Sequence, residues 1–351
     1  MKILVIGGTK FLGRHLVTAV LARNHEVTLF NRGKHSAAGI PQVEQIHGDR
    51  NSDLDKLRNR NWDAVIDTCG YLPQTVKSSA EALKDSVENY VFVSSVSAYA
   101  NFSQPNYDES APLTRLTEEQ QKKVAEIDPK GELTGQILGA EYGALKALCE
   151  ETAEKAMPGR VLNVRSGLIV GSFDPTDRFT YWVMRVAQGG EVLAPDNPNC
   201  AVQFIDARDL SEWMLRMIER KENGIFNANS KPGELTFGAM LAEIKNVSGS
   251  DAEFTWASEN FLLAEKVKPW SEMPLWLPGE NAPEIKGHAS ANVNKAVNSG
   301  LTFRPLQDTI QDVLAWGREN FGTDEMKAGI NRERERELLQ KWHETESAKK
   351  S

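Results

Sequence analysis

The opening stretch MKILVIGGTKFLG, Met1–Gly13, constrains this chain more than any other. Ile3–Ile6 is short, continuous, aliphatic and rich in β-branched residues, the composition of a strand covered on both faces of a parallel sheet. Gly7 and Gly8 let the backbone turn directly after it. Thr9 and Lys10 then lead into Phe11, Leu12, His15, Leu16 and Val20, the spacing of a helix laid on that strand, with Gly13 inside the pattern. Free N–H groups at such a helix start, with no Cβ in front of them, form a site for a dinucleotide pyrophosphate. A second strand, His25–Phe30, ends in Asn31, Arg32 and Gly33, where the adenosine ribose is read.

Composition narrows the function classes. A chain of 351 residues can bury one large core, or a nucleotide-binding domain plus a smaller one. Its 40% hydrophobic content is spread along the chain without a membrane-length run and the first strand begins at residue 2, so neither a membrane span nor a signal sequence is expected. The formal net charge of −8 argues against a general nucleic-acid binder. Three distant cysteines (Cys69, Cys149, Cys200) and six scattered histidines offer neither a disulfide framework nor metal-ligand spacing, so no metal is expected and a reducing cytoplasm fits.

Further strands are expected at Val43–Ile46, Asp63–Asp67, Tyr90–Val93 and Val161–Val164, with later returns to the sheet at Gln203–Ile205 and Ile225–Ala228. Helices are expected at Gln74–Leu83 and Ala140–Met157. This alternation predicts an α/β fold with a doubly wound parallel sheet, a Rossmann fold, whose ligand crevice lies at the carboxyl ends of the strands. The third strand leads to Asp49 and Arg50, where Asp49 is either an acceptor for the adenine amino group or a turn residue. The fourth leads to Thr68, Cys69 and Gly70, small enough for the loop to approach the cofactor. Asn101–Gly139 reads as an insertion at the carboxyl edge, part loop and part solvated helix.

The composition shifts in Asp174–Asn199 and Asp251–Phe303, which carry most of the prolines and tryptophans. The expected organisation is therefore a nucleotide-binding domain over 1–166 and about 201–248, and a smaller, discontinuous substrate domain over about 167–200 and 249–322. The tryptophans of Lys266–Gly287 pack a core or touch a ligand. Residues 323–351, with NRERERELLQKW at their middle, form a charged helical tail, solvated or docked on a partner subunit.

Tyr142 and Lys146 stand at i and i+4 on one helix face. A phenol has a pKa of about 10, and a nearby ammonium favours its phenolate, so the pair suits proton exchange with a substrate hydroxyl or carbonyl. Ser95, at the end of the fifth strand, is placed to hydrogen-bond the same oxygen, and Lys146 to reach the nicotinamide ribose.

With GGTKFLG, FVSSVSAY, YGALK and QFIDARDL, the chain resembles the short-chain dehydrogenase/reductase superfamily over roughly Met1–Phe321, in its extended or atypical branch of NAD(P)-dependent epimerase/dehydratase proteins. The resemblance implies Tyr142 as acid/base, Lys146 as its partner and ribose ligand, and Ser95 as oxyanion donor. Lys10 replaces the extended family's middle glycine, as in the subgroup of isoflavone-reductase-like and chloroplast stem-loop-binding-like proteins. RSGLIVG lacks the asparagine that nucleotide-sugar enzymes carry after their sixth strand, which argues against such a substrate.

The expected activity is hydride transfer at a hydroxyl or carbonyl carbon of a small molecule, as net oxidoreduction or epimerisation. Val96 and Ser97 follow Ser95 where dehydration needs an added acid/base pair. A non-catalytic nucleotide-sensing or RNA-binding protein on the same fold is the alternative. Asn31 and Arg32, with Lys10 nearby, favour NADP(H) over NAD(H). The resemblance also implies a homodimer through Ala140–Met157, whose outer face carries Leu145, Leu148 and Thr152.

Overall fold

The computed structural model describes residues 1–34, 39–40, 42–195, 197–279, 283–321 and 326–350. Of the stretches singled out above, 35–38, 41, 196, 280–282, 322–325 and 351 lie outside them. The strands are β1 (Lys2–Ile6), β2 (Glu26–Asn31), β3 (Glu44–His47), β4 (Trp62–Asp67), β5 (Val87–Ser95), β6 (Val161–Ser166), β7 (Leu168–Val170), β8 (Glu191–Pro195), β9 (Phe204–Asp206), β10 (Gly224–Ala228) and β11 (Glu253–Ala257). One seven-stranded sheet runs β10-β6-β5-β4-β1-β2-β3, parallel throughout. The strand order reverses between β1 and β4, the switch point at which a doubly wound sheet opens its crevice.

Alternation along β1 shows why the sheet needs helices on both faces. Ile3 and Val5 enter one core with Leu16 and Val20 of α1 (Phe11–Ala22), and Leu4 and Ile6 enter the opposite core with Val76 and Leu83 of α2 (Pro73–Leu83). The insertion carries α3 (Glu118–Ala125) and α4 (Gly135–Leu138). Beyond it, α5 (Tyr142–Ala156) adds Cys149 and Ala153 to the α2 side. Leu145, expected on the outer face of that helix, is instead buried with Leu72 and Leu138.

The remaining helices are α6 (Arg178–Ala187), α7 (Ala207–Glu219), α8 (Phe237–Ser248), α9 (Glu259–Ala264), α10 (Asn294–Asn298), α11 (Leu306–Asn320) and α12 (Arg332–Lys350). α7 covers the α1 side of the sheet with Leu210 and Trp213. A second core gathers Trp182 of α6, Phe237 and Met240 of α8, Val313 of α11 and Leu193 of β8, the partner of β11. Segment 237–248, expected in the nucleotide-binding domain, packs through Phe237, Met240, Leu241 and Ile244 into this second core. Gln203–Ile205 also differs from expectation: β10 takes the edge beside β6, so β9 pairs with β7 outside the main sheet.

The charged tail docks on its own chain. Glu335 of α12 is 1% exposed, and its carboxylate accepts from Arg185 Nε at 2.7 Å, Arg332 Nη1 at 2.6 Å and the Leu193 backbone N–H at 3.1 Å. Leu338 and Leu339 are buried beside it. Removing one partner of such a pair strands the other charge in the core, whereas exposed pairs such as Arg334–Glu337 contribute little. Glu335→Ala is therefore expected to cost about 3–5 kcal/mol in urea unfolding and Glu337→Ala less than about 1 kcal/mol. Equal, small losses would show that the tail is not part of the core.

Candidate active site

The crevice begins between β1 and α1. Gly7 turns the chain at φ +102°, and a Cβ on Gly13 would overlap Gly8 Cα, so helix and turn approach to backbone contact. Phe11 opens the helix at φ +25°, a setting that costs a side chain strain. Lys10 is the N-cap residue without a side-chain cap bond, and the first turn carries no acid. This cradle fits a pyrophosphate: close-packed glycines, N–H groups at a helix start and no competing carboxylate in the turn. Thr9 is 7% exposed and Leu12 6%, so both support the turn from inside.

At the adenosine end, Asn31 Oδ1 accepts from Gly33 N at 2.8 Å. Arg32 and Lys10 both face the insertion: Arg32 Nη1 donates to Lys130 O at 2.7 Å, and Lys10 pairs with Glu132. Asp49 is occupied as a turn residue, accepting from Asn51 N at 2.8 Å and Asn51 Nδ2 at 2.9 Å. Arg50, singled out as a cofactor residue, is turned inward. Its guanidinium makes a two-point pair with Asp67 at 2.8 and 2.6 Å and donates to Ser79 Oγ at 3.1 Å. Burial opposes both charges, but each partner's field prevails, raising the Arg50 pKa and lowering that of Asp67.

Thr68 Oγ1 donates to Ile6 O at 2.9 Å, tying the β4 loop to the end of β1. Burial pushes the Cys69 thiol up, although Arg50 opposes it, so the thiol is held protonated beside Ile6 O and gives no nucleophile. Lys146 is 3% exposed, and its ammonium donates to Gly70 O at 2.9 Å and Val93 O at 2.7 Å. It also lies over the rings of Phe92 at 4.7 Å, Tyr71 at 5.0 Å and Tyr142 at 6.0 Å. The three expected catalytic residues are thereby placed on adjoining elements. Tyr142 opens α5, Lys146 lies one turn on, and Ser95 ends β5, its Oγ accepting from Ser97 N at 3.1 Å. Gly143 lets α5 press against the Ser97 backbone, which a Cβ would prevent.

Sequence reading did not single out several residues facing this end. Arg178, at the start of α6, lies over the Trp270 ring at 5.5 Å, and Tyr142 and Asp174 are close enough to act on its charge. Trp270 meets His288 edge-on at 5.3 Å, and His288 meets Phe102 at 5.1 Å. Burial lowers the His288 pKa to about 4, keeping the ring neutral near pH 7. Of the tryptophans left open above, Trp276 is thus core at 2% exposure, while Trp270 stacks under a cation. Asp174 is 2% exposed, accepts from Thr176 N at 2.9 Å and Thr176 Oγ1 at 2.8 Å, and is raised by burial to about 6. Among the described residues, no group of three or more metal-ligating side chains is placed to hold a metal, and no helix is long and apolar enough to cross a membrane.

The chain belongs to the NAD dependent epimerase/dehydratase family, an enzyme family whose description matches residues 3–228. A relative from Arabidopsis thaliana, the chloroplast stem-loop binding protein of 41 kDa b, is 24% identical over 71% of this chain and 63% of its own length. The chain thus spans less than two thirds of that relative. A UDP-glucose 4-epimerase structure superimposes with a TM-score of 0.66 at 15% identity, covering 91% of this chain and 98% of its own. The UDP-glucuronic acid 4-epimerase of Bacillus cereus, in complex with NAD, gives 0.63 at 15% identity, with 92% and 98% covered. These likenesses show a shared Rossmann-type fold.

Asp174 gives the site a pH signature. Its folded pKa, about 6, lies above the ordinary aspartate value of 3.8, so the folded state holds the proton longer. Its share of stability is complete below about pH 4 and is lost as pH rises through about 6. Asp174→Asn is expected to stabilise the protein by on the order of 2 kcal/mol at pH 7.5 and to change little at pH 4. Thermal melts at the two values check this, and an equal effect at both would contradict it.

Proposed function

We propose that this chain is an NAD(P)-dependent oxidoreductase or epimerase acting at a hydroxyl or carbonyl carbon of a small molecule, with Tyr142 as acid/base. The observation that carries the reading is the buried ammonium of Lys146. Anchored on the β4 loop and on β5, and one turn from Tyr142, it places a positive charge beside the phenol that must give and take a proton. The glycine cradle and α1 N-terminus hold the pyrophosphate, and Lys146 reaches the nicotinamide ribose. The bound nicotinamide supplies the hydride acceptor or donor. Tyr142 Oη moves the proton at the substrate oxygen, Lys146 stabilises the charge that develops on that phenol, and Ser95 Oγ holds the reacting oxygen. Arg178, Trp270 and His288 bound the substrate side, contributed by the second core and its loops.

Asn31 and Arg32 stand where an NAD-selective enzyme places a carboxylate on the ribose diol, which supports NADP(H) over NAD(H). A charge-assisted bond to the 2′-phosphate is worth about 1.5–3 kcal/mol, or roughly ten- to a hundredfold in affinity. Calorimetric titration is expected to show tighter NADP+ than NAD+ binding, with Arg32→Ala losing at least about tenfold for NADP+ alone. Equal or tighter NAD+ binding by the wild type would overturn the preference.

The chemistry is tested by Tyr142→Phe, which keeps the ring and removes the proton. Turnover is expected to fall roughly 10²–10⁴-fold with folding and cofactor binding nearly intact, while Lys146→Met damages both. A panel of nucleotide sugars, enones and simple ketones, read by NAD(P)H absorbance, provides the assay. Near wild-type turnover in Tyr142→Phe removes the mechanism. The name of the Arabidopsis relative makes RNA retention at moderate salt the companion measurement. Retention without bound dinucleotide would favour the non-catalytic reading.

A further inference from the structure

The insertion reaches the adenosine end of the crevice through one tight turn. Asp128 Oδ1 accepts from Lys130 N at 2.9 Å and Asp128 O from Gly131 N at 3.1 Å, folding Asp128–Gly131 so that successive carbonyls face the sheet. Pro129 O accepts from Asn51 Nδ2 at 2.9 Å, Lys130 O from Arg32 Nη1 at 2.7 Å, and Gly131 O from the same nitrogen at 3.4 Å. Glu132 follows immediately and pairs with Lys10. The two cations that recommend this end for a 2′-phosphate are therefore already engaged, one by carbonyl dipoles and one by a full negative charge.

We propose that Glu132 is a specificity-determining residue for the dinucleotide, its carboxylate opposing a 2′-phosphate for Lys10 and so limiting the margin by which NADP(H) exceeds NAD(H). The inference rests on the cofactor reading above. A phosphate carries close to two negative charges at neutral pH, and near Lys10 it is repelled by Glu132 unless the turn withdraws. A ribose diol is neutral and meets no such repulsion. Both side chains of the pair are about half exposed, at 49% and 56%, so its own stabilisation is small. The charge thus acts on cofactor choice more than on folding.

The test is calorimetric titration of NADP+ and NAD+ into the full chain and its Glu132→Gln variant at low and high salt. The expected result is NADP+ binding tighter by roughly three- to tenfold, NAD+ changed less than about twofold, and the gain shrinking as salt rises. Glu119→Gln, which removes a charge from α3 in the same insertion, is the control and is expected to leave the ratio unchanged. An unaltered ratio in Glu132→Gln, or an equal shift in the control, overturns the proposal. The cofactor reading fails separately, through the wild-type preference alone, because the ratio between variant and wild type is measurable whichever dinucleotide binds more tightly.

Discussion

Burying an ammonium is the constraint around which the crevice is built. A lysine taken out of water loses several kcal/mol of solvation unless its donors are met. At Lys146 two donors are met by carbonyls from the β4 loop and from β5, and the ammonium lies over aromatic rings. Meeting them fixes the distance between three separate elements. Displacing Gly70 O, Val93 O or α5 would leave a buried charge short of a partner, so each element is held by what the other two require.

The same logic recurs beneath the crevice. Glu150 of α5 takes Ser94 Oγ at 2.5 Å and the guanidinium of Arg165 at 2.7 Å, and Arg165 lies over the Tyr99 ring at 4.8 Å. Tyr99 donates in turn to Asn227 Oδ1 at 2.6 Å. The chain of contacts crosses α5, β5, β6 and β10. Together with Arg50–Asp67 and Arg185–Glu335 it places ion pairs inside the protein, where removing either partner would leave a buried charge unpaired.

Much of this was legible in the sequence because it is local. The strand ends after Ile6, Asp67 and Ser95, the glycine turn and the Tyr142–Lys146 spacing are each written within a few residues. What escaped depends on partners far away in the chain. Arg50 sits just past a strand, where a cofactor residue belongs, but a carboxylate seventeen positions on claims it. Glu335 lies in a run of charges that reads as solvated until Arg185, 150 positions earlier, is placed against it. The short β9 had the composition of a sheet strand, and only the occupation of the edge by β10 excluded it. At the site, Arg178 and Trp270 meet through a loop whose composition marked it as different without saying what it faces. An aspartate flanked by proline and threonine, as in Asp174-Pro175-Thr176, was the one local signal of a buried turn there.

The two serines ending β5 illustrate how little slack the arrangement has. Successive side chains of a strand face opposite ways, so Ser94 turns to Glu150 while Ser95 turns to the other face. Either residue could chemically replace the other. Their difference lies wholly in parity: one residue gained or lost within Val87–Ser95 would exchange the faces that the two hydroxyls occupy. The number of residues in this strand therefore decides which hydroxyl meets Glu150, whatever apolar residues fill the positions between.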